Sequence, residues 1–208
     1  MKKIIIVLIS VLVVMGCKNK QNQTTITPEI NIEKSWRGPK RERITIYDCN
    51  DVNGDYVHND LCVRIIVREH DDNGRLNKET EYINNEIVGV IRYRLDENDN
   101  LYMTHTFKGK LITNIYKDEN NEWVILSDGK TLKSTEDFEL QKPEYCSWTE
   151  WMKADLTLIG SKNINIGKIK YGSENDKFAQ ECYITYTLPD DTEEIIHVKR
   201  EVLETYGL

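Results

Sequence analysis

From residue 41 onward the chain reads as short runs of Ile, Val, Tyr, Thr and Leu separated by clusters of Asp, Asn and Gly, at the spacing of successive hairpins. The pattern predicts strands at 43–48, 62–69, 77–83, 87–95, 101–107, 111–116 and 123–126. Leu101, Met103, His105 and Phe107 alternate with polar partners, the period of a strand buried on one side. After residue 128 the pattern changes. Ser134-Thr135-Glu136-Asp137 and Pro143-Glu144 each read as helix openings, the second continuing through Trp148, Trp151 and Met152. Trp148 and Trp151 share a helical face, and such a pair is more often core than ligand platform. Strands resume at 164–171 and 181–188. Pro189-Asp190-Asp191-Thr192 then turns the chain into 194–203, a strand by position but also rich in helix formers. The expectation is a mainly β fold of antiparallel hairpins in a meander, with one or two short helices.

A loose repeat runs through the middle of this pattern: DDNGRLNKETEYINNEIVGVIRYR, then DENDNLYMTHTFKGKLITNIY, then DENNEWVILSDGKTL. Each unit opens on an acidic turn, at Asp71, Asp96 and Asp118, in steps of 25 and 22 residues. Each holds a second turn, at Asn84-Asn85, Lys108-Gly109 or Asp128-Gly129. These residues resemble the MORN-like hairpin repeats of YwqK-type bacterial antitoxins over about 60 of the 208 residues. Asn84-Asn85 and Asp99-Asn100 stand where such repeats prefer Asn-Gly. An ordinary meander, whose turns share residue types because turns need them, accounts for the same spacing.

The first residues follow another rule. Lys2 and Lys3 precede an uncharged run of 12 residues, 4–15. A helix crossing ~30 Å of hydrocarbon needs roughly 20 apolar residues, so residues 1–16 read as an export signal. Val14-Met15-Gly16-Cys17 resembles the lipobox of bacterial lipoproteins, with Met15 departing from the small or β-branched residue usual at its place. The resemblance implies an acylated Cys17 and attachment to a membrane through the lipid anchor, stable when more than one chain is carried. Lys18, in place of the Asp that marks inner-membrane retention, favours the outer membrane. An ordinary secretory signal with an accidental cysteine is the alternative. Residues 17–39 then form the lipidated cysteine and a disordered tether, reaching roughly 25 Å as a coil. Residues 40–208 form the globular domain, with a subdivision possible near 130–143.

Charge narrows the function. The net charge is −7, and loss of Lys2 and Lys3 with the signal takes it to −9. An acidic chain lacks the basic footprint that nucleic acid requires, and its sign suits a basic protein partner. Beyond Cys17 the cysteines are Cys49, Cys62, Cys146 and Cys182. An even count in an exported protein suggests disulfides, with proximity favouring 49–62 and 146–182. The Asn53-Gly54 pair complicates the first bridge, because a two-residue hairpin there puts Cys49 opposite His58. Four free thiols are the other outcome.

Catalytic and metal signatures are thin. Ser127-Asp128-Gly129-Lys130 has the bare Ser-x-x-Lys spacing of serine acyl enzymes but reads as a turn, whereas that chemistry needs a helix opening at the serine. Asp51-x-Asn53-x-Asp55 alternates oxygen ligands as calcium loops do, yet its glycine is misplaced and Cys62 stands where a closing Glu is needed. His58, His70, His105 and His197 are scattered, so a zinc site would have to be assembled from distant strands. No catalytic residue, metal site or cofactor is assigned. The reading is a lipid-anchored envelope protein with a binding or structural role and no catalysis. An immunity-type lipoprotein neutralising a toxin and a hydrolase of envelope polymers are the alternatives.

Overall fold

The computed structural model describes residues 38–127, 129–134, 140–171 and 179–206, with backbone alone at 60–62, 132–134 and 179. The export signal, Cys17 and the tether as far as residue 37 lie outside the described residues, as does the helix opening expected at 135–137.

Eight strands follow one another as a meander: β1 (Pro39–Val52), β2 (Asp55–His70), β3 (Leu76–Ile83), β4 (Glu86–Leu95), β5 (Leu101–Phe107), β6 (Lys110–Lys117), β7 (Trp123–Ser127) and β8 (Lys130–Ser134). Helix α1 (Trp148–Leu158) follows, then β9 (Lys162–Tyr171), β10 (Ala179–Thr187) and β11 (Glu193–Thr205). All eleven strands form one sheet, ordered β8-β7-β6-β5-β4-β3-β2-β1-β11-β10-β9. Every pair of neighbouring strands runs antiparallel, from the β7–β8 hairpin to β11 against β1. The mainly β expectation therefore holds, and α1 is the single helix among the described residues.

The turns explain the order. Asn53 and Gly54 both take positive φ, 57° and 89°, the signature of a primed two-residue hairpin matched to strand twist. Asn84-Asn85 and Lys108-Gly109 do the same. At the opposite end of the strands, Asp71, Asp96 and Asp118 open turns of one construction. Each carboxylate oxygen Oδ1 accepts two backbone N–H bonds, from residues two and four further on, at 2.8–3.0 Å. Gly74, Asp99 and Asn121 supply the left-handed residue of each. Asp and Asn tolerate that conformation better than other side chains, so the departures from Asn-Gly still turn the chain.

One face of the sheet is covered. Ile44, Ile46, Ile66, Cys182, Ile184, Ile196 and Val198 point to it and meet Trp148, Trp151, Met152 and Leu156 of α1. Trp148 is fully buried; removing roughly 200 Å² of indole from water is worth at most about 5 kcal/mol. Farther along, Ile91, Tyr93, Met103 and Ile115 meet Leu140 on the chain leading to the helix. The two tryptophans are thus core.

Several expected boundaries change. The helix opens at Ser147 rather than near Pro143, because Ser147 and Glu150 form a reciprocal capping box. Residues 194–203 are strand and not helix, since β11 is held on both sides by β1 and β10. Helix propensity loses to a two-sided ladder. Ser134 is the last residue of β8, and β1 begins at Pro39, one residue before the expected domain start.

Candidate functional site

The face that no described segment covers carries the candidate site, a row of aromatic rings across β2, β1, β11 and β10. Alternation dictates it: Ile46, Cys182, Ile184, Ile196 and Val198 face the core, so Tyr47, Tyr183 and His197 face the other way. Register then brings them together. Tyr183 pairs with His197, His197 with Tyr47, and Cys49 with His58. His58 stacks on Tyr47 with centroids 4.5 Å apart and 3° between planes. Tyr183 stacks on His197 at 4.3 Å and 8°, and Tyr56 extends the row at 5.2 Å from Tyr183. The rings use their faces on one another. What they offer a ligand is edges, the tyrosine hydroxyls and the rim of His58, instead of a flat apolar platform, while His197 is only 2% exposed.

A hydrogen-bonded chain runs through this row. Glu181 Oε1 lies 2.8 Å from His197 Nε2, and His197 Nδ1 lies 2.6 Å from His58 Nε2. A carboxylate only accepts, so His197 Nε2 carries the proton toward Glu181. His197 Nδ1 is then the acceptor, and His58 Nε2–H the donor. Burial lowers the pKa of His197, more than the Glu181 carboxylate raises it. Burial works to raise the pKa of Glu181, yet hydrogen bonds from Lys170 and His197 leave it below the usual range. Ammonium groups flank the row: Lys168 Nζ sits 4.1 Å from the Tyr56 ring centre and Lys199 Nζ 5.8 Å from that of Tyr47. Burial pushes the Cys49 thiol and the Tyr183 hydroxyl up, so both are protonated at neutral pH.

The covered face holds a different charge cluster. Glu42, fully buried, takes Arg200 Nε at 2.7 Å and Arg68 at 3.5 Å. Arg68 lies 3.8 Å from Glu79, and Arg64 joins Glu81 at 2.6 Å to Asp155 of α1 at 3.6 Å. Burial raises the pKa of Glu79 and Asp155 against the pull of these arginines. This cluster ties α1 to the sheet. His70 and His105 are buried on this same side, so the four histidines divide between the two faces.

The other candidate residues fall into place as structure. Asp51 Oδ1 accepts the Gly54 N–H at 2.7 Å, so the proposed calcium loop is the stem of a hairpin. Among the described residues no group of three or more His, Cys, Asp or Glu side chains is placed to hold a metal ion. Ser127 and Lys130 face each other across the β7–β8 hairpin, without the helical turn that acyl-enzyme chemistry needs. Cys49 and Cys182 are free, buried thiols. The tight Asn53-Gly54 hairpin does set Cys49 opposite His58, and an irregularity in β2 places backbone 60–62 between the partners of Asp48 and Tyr47. The side chain of Cys62 lies outside the described residues. The histidine pair is what sequence reasoning missed. Its members are 139 residues apart, and the one signal was the hairpin that aligns Cys49 with His58.

No family model and no curated protein matches this chain. Among solved structures, a porin-like protein from Bacteroides uniformis ATCC 8492 is similar at 11% sequence identity and a TM-score of 0.26, over 77% of this chain and 95% of that chain. A likeness that loose carries no argument about function.

Proposed function

We propose that this chain is an exported, lipid-anchored protein of the cell envelope that holds a partner and does no chemistry on it. The observation that supports this reading is the uncovered sheet face. Edge-on tyrosines and histidines stand there beside lysines, spread over a surface rather than gathered around a cleft. The polar 18–38 segment would let such a face reach away from the membrane. Cys17 is the acylation point on this reading. Cys17→Ser should abolish lipid labelling and move the protein from the membrane fraction to the soluble one. Unchanged membrane association would overturn the anchor.

A second reading, an envelope-polymer hydrolase, draws on the Glu181–His197–His58 chain, which has the form of an oriented base. Hydrolysis of peptidoglycan, lipid or glycan by the purified protein, abolished by His58→Phe with unchanged folding, would replace the binding role with this one.

A further inference from the structure

We propose that the uncovered sheet face is a docking surface for an acidic protein, opposite in charge to the basic partner that the net charge of this chain suggests. The inference rests on the binding role above and assigns the chemistry of the partner. Alternation and register sort the charged side chains by face. Ile91 and Tyr93 lie in the covered cluster, so Arg92 and Arg94 point the other way. Carboxylates in the middle of the open face are already taken: Glu69 by Lys78 at 3.1 Å, Glu181 by Lys170 at 3.3 Å and Glu201 by Arg43 at 3.4 Å, while Asp51 and Glu193 stand at strand ends. Arg92, Arg94, Lys168 and Lys199 have no carboxylate within ion-pair distance among the described residues. Arg92 Nε is buried with no acceptor at all. A face with four unpaired cations thus sits on a chain of net charge −7. The acidic surplus lies instead at strand ends, in the turns that open at Asp71, Asp96 and Asp118.

Apolar groups on the same face separate a protein from other polyanions. Ile87 and Leu111 are 58% and 54% exposed. Ile87 pairs with Tyr82 and Leu111 with Thr106, which places both on the open side. An anionic glycan has little apolar surface to set against them, while a protein does. Tyrosine and arginine are also the side chains enriched where protein interfaces concentrate binding energy. The cations steer an acidic partner and fix its orientation, and Ile87 and Leu111 exclude water once it lands.

The test uses the full chain in detergent micelles and three probes, measured calorimetrically at low and high salt. These are a random glutamate–tyrosine copolymer, polygalacturonate as an anionic glycan, and poly-L-lysine. The expected result is salt-sensitive binding of the copolymer, at least tenfold tighter than polygalacturonate, and none of poly-L-lysine. The pair Arg94→Glu and Lys199→Glu should weaken copolymer binding at least tenfold. Lys153→Glu, the same reversal on exposed helix surface, should change it less than twofold. Ile87→Ser with Leu111→Ser should bring the copolymer down toward polygalacturonate. Equal binding of glycan and copolymer, indifferent to the serine variants, overturns the protein partner in favour of an anionic glycan. Tighter binding of poly-L-lysine overturns the charge assignment and leaves the binding role standing. Failure of all three probes overturns the docking surface, and envelope-polymer hydrolysis in the same preparation would remove the binding role as well. Thermal melts of every variant separate these outcomes from unfolding.

Discussion

Glu42→Gln is the substitution that most sharply tests how this fold joins its helix to its sheet. Glu42 is fully buried, and Arg68 and Arg200 are 3% and 5% exposed. Its carboxylate takes Arg200 Nε at 2.7 Å, Arg68 at 3.5 Å and the Tyr145 hydroxyl at 3.5 Å. Glutamine keeps the shape and loses the charge. Two guanidinium groups are then left beneath α1, and Arg68 keeps the Cys146 carbonyl at 3.3 Å and the Glu79 carboxylate at 3.8 Å. Removing one member of a buried pair costs about 3 to 5 kcal/mol, largely because the charge left behind has lost its water. The retained Glu79 contact puts the expectation near the lower end, about 3 kcal/mol. Removing the pair together should cost less: Glu42→Leu with Arg200→Met should fall below the sum of the singles by at least about 1 kcal/mol. The assay is urea unfolding followed by tryptophan fluorescence, since Trp148 and Trp151 lie beside the cluster. A Glu42→Gln cost under about 1 kcal/mol, or strict additivity in the double variant, would refute the reasoning.

Burial takes the His70 pKa down to about 3, from an ordinary value of 6.5. The unfolded chain therefore binds the extra proton first, and this contribution is complete above about pH 6.5 and lost as pH falls toward 3. At about 1.4 kcal/mol per pH unit the loss approaches 4 to 5 kcal/mol. His70→Phe should flatten the acid limb of stability between pH 6 and 4, and a parallel limb would count against it. Gly54→Ala should cost roughly 1 kcal/mol, purely through its positive φ of 89°, because an added Cβ meets nothing within 4 Å. A loss above about 3 kcal/mol would mean the hairpin is held by something else. Nitrogen NMR should find His197 protonated on Nε2 with a bare Nδ1, and His58→Phe should keep the stacking on Tyr47 while shifting the Nδ1 resonance. A proton on Nδ1 would reverse the Glu181–His197–His58 chain.

The strands were legible because each carries its own evidence. The 101–107 alternation needs no distant partner to declare itself, and β5 has those bounds. The repeat was legible for a similar reason: Asp71, Asp96 and Asp118 build their turns from bonds within five residues. Distance in sequence set the limit. Residues 194–203 carry the composition of a helix, and only pairing with β1, more than 140 residues earlier, makes them a strand. The candidate site fails on the same ground, since His58, Glu181 and His197 have nothing in common until β11 lies between β1 and β10.

On the docking proposal, net charge is a poor guide to the partner for a physical reason. A partner does not meet a sum over the chain; it meets the potential of one surface, screened within about 8 Å at physiological salt. A sheet separates charges more strictly than a helix, because every second residue of every strand goes to the same side. Turns then collect the acids, since Asp and Asn are the side chains that close backbone loops. A meander with many acidic turns can therefore be acidic overall and cationic on its broad face, as the positions of Arg92, Arg94, Lys168 and Lys199 require. The same sorting puts the His58–His197 pair among those cations, with Glu181 as its carboxylate. His197, whose pKa burial lowers, adds positive charge to the open face only when it takes a second proton, in solution more acid than an ordinary histidine needs. Binding of an acidic partner should then strengthen as pH falls below the ordinary histidine value of 6.5, and a basic partner should weaken over the same interval. Because His58→Phe with His197→Phe removes both imidazoles without touching Arg94 or Lys199, a pH dependence that survives the double substitution would place its source in the partner.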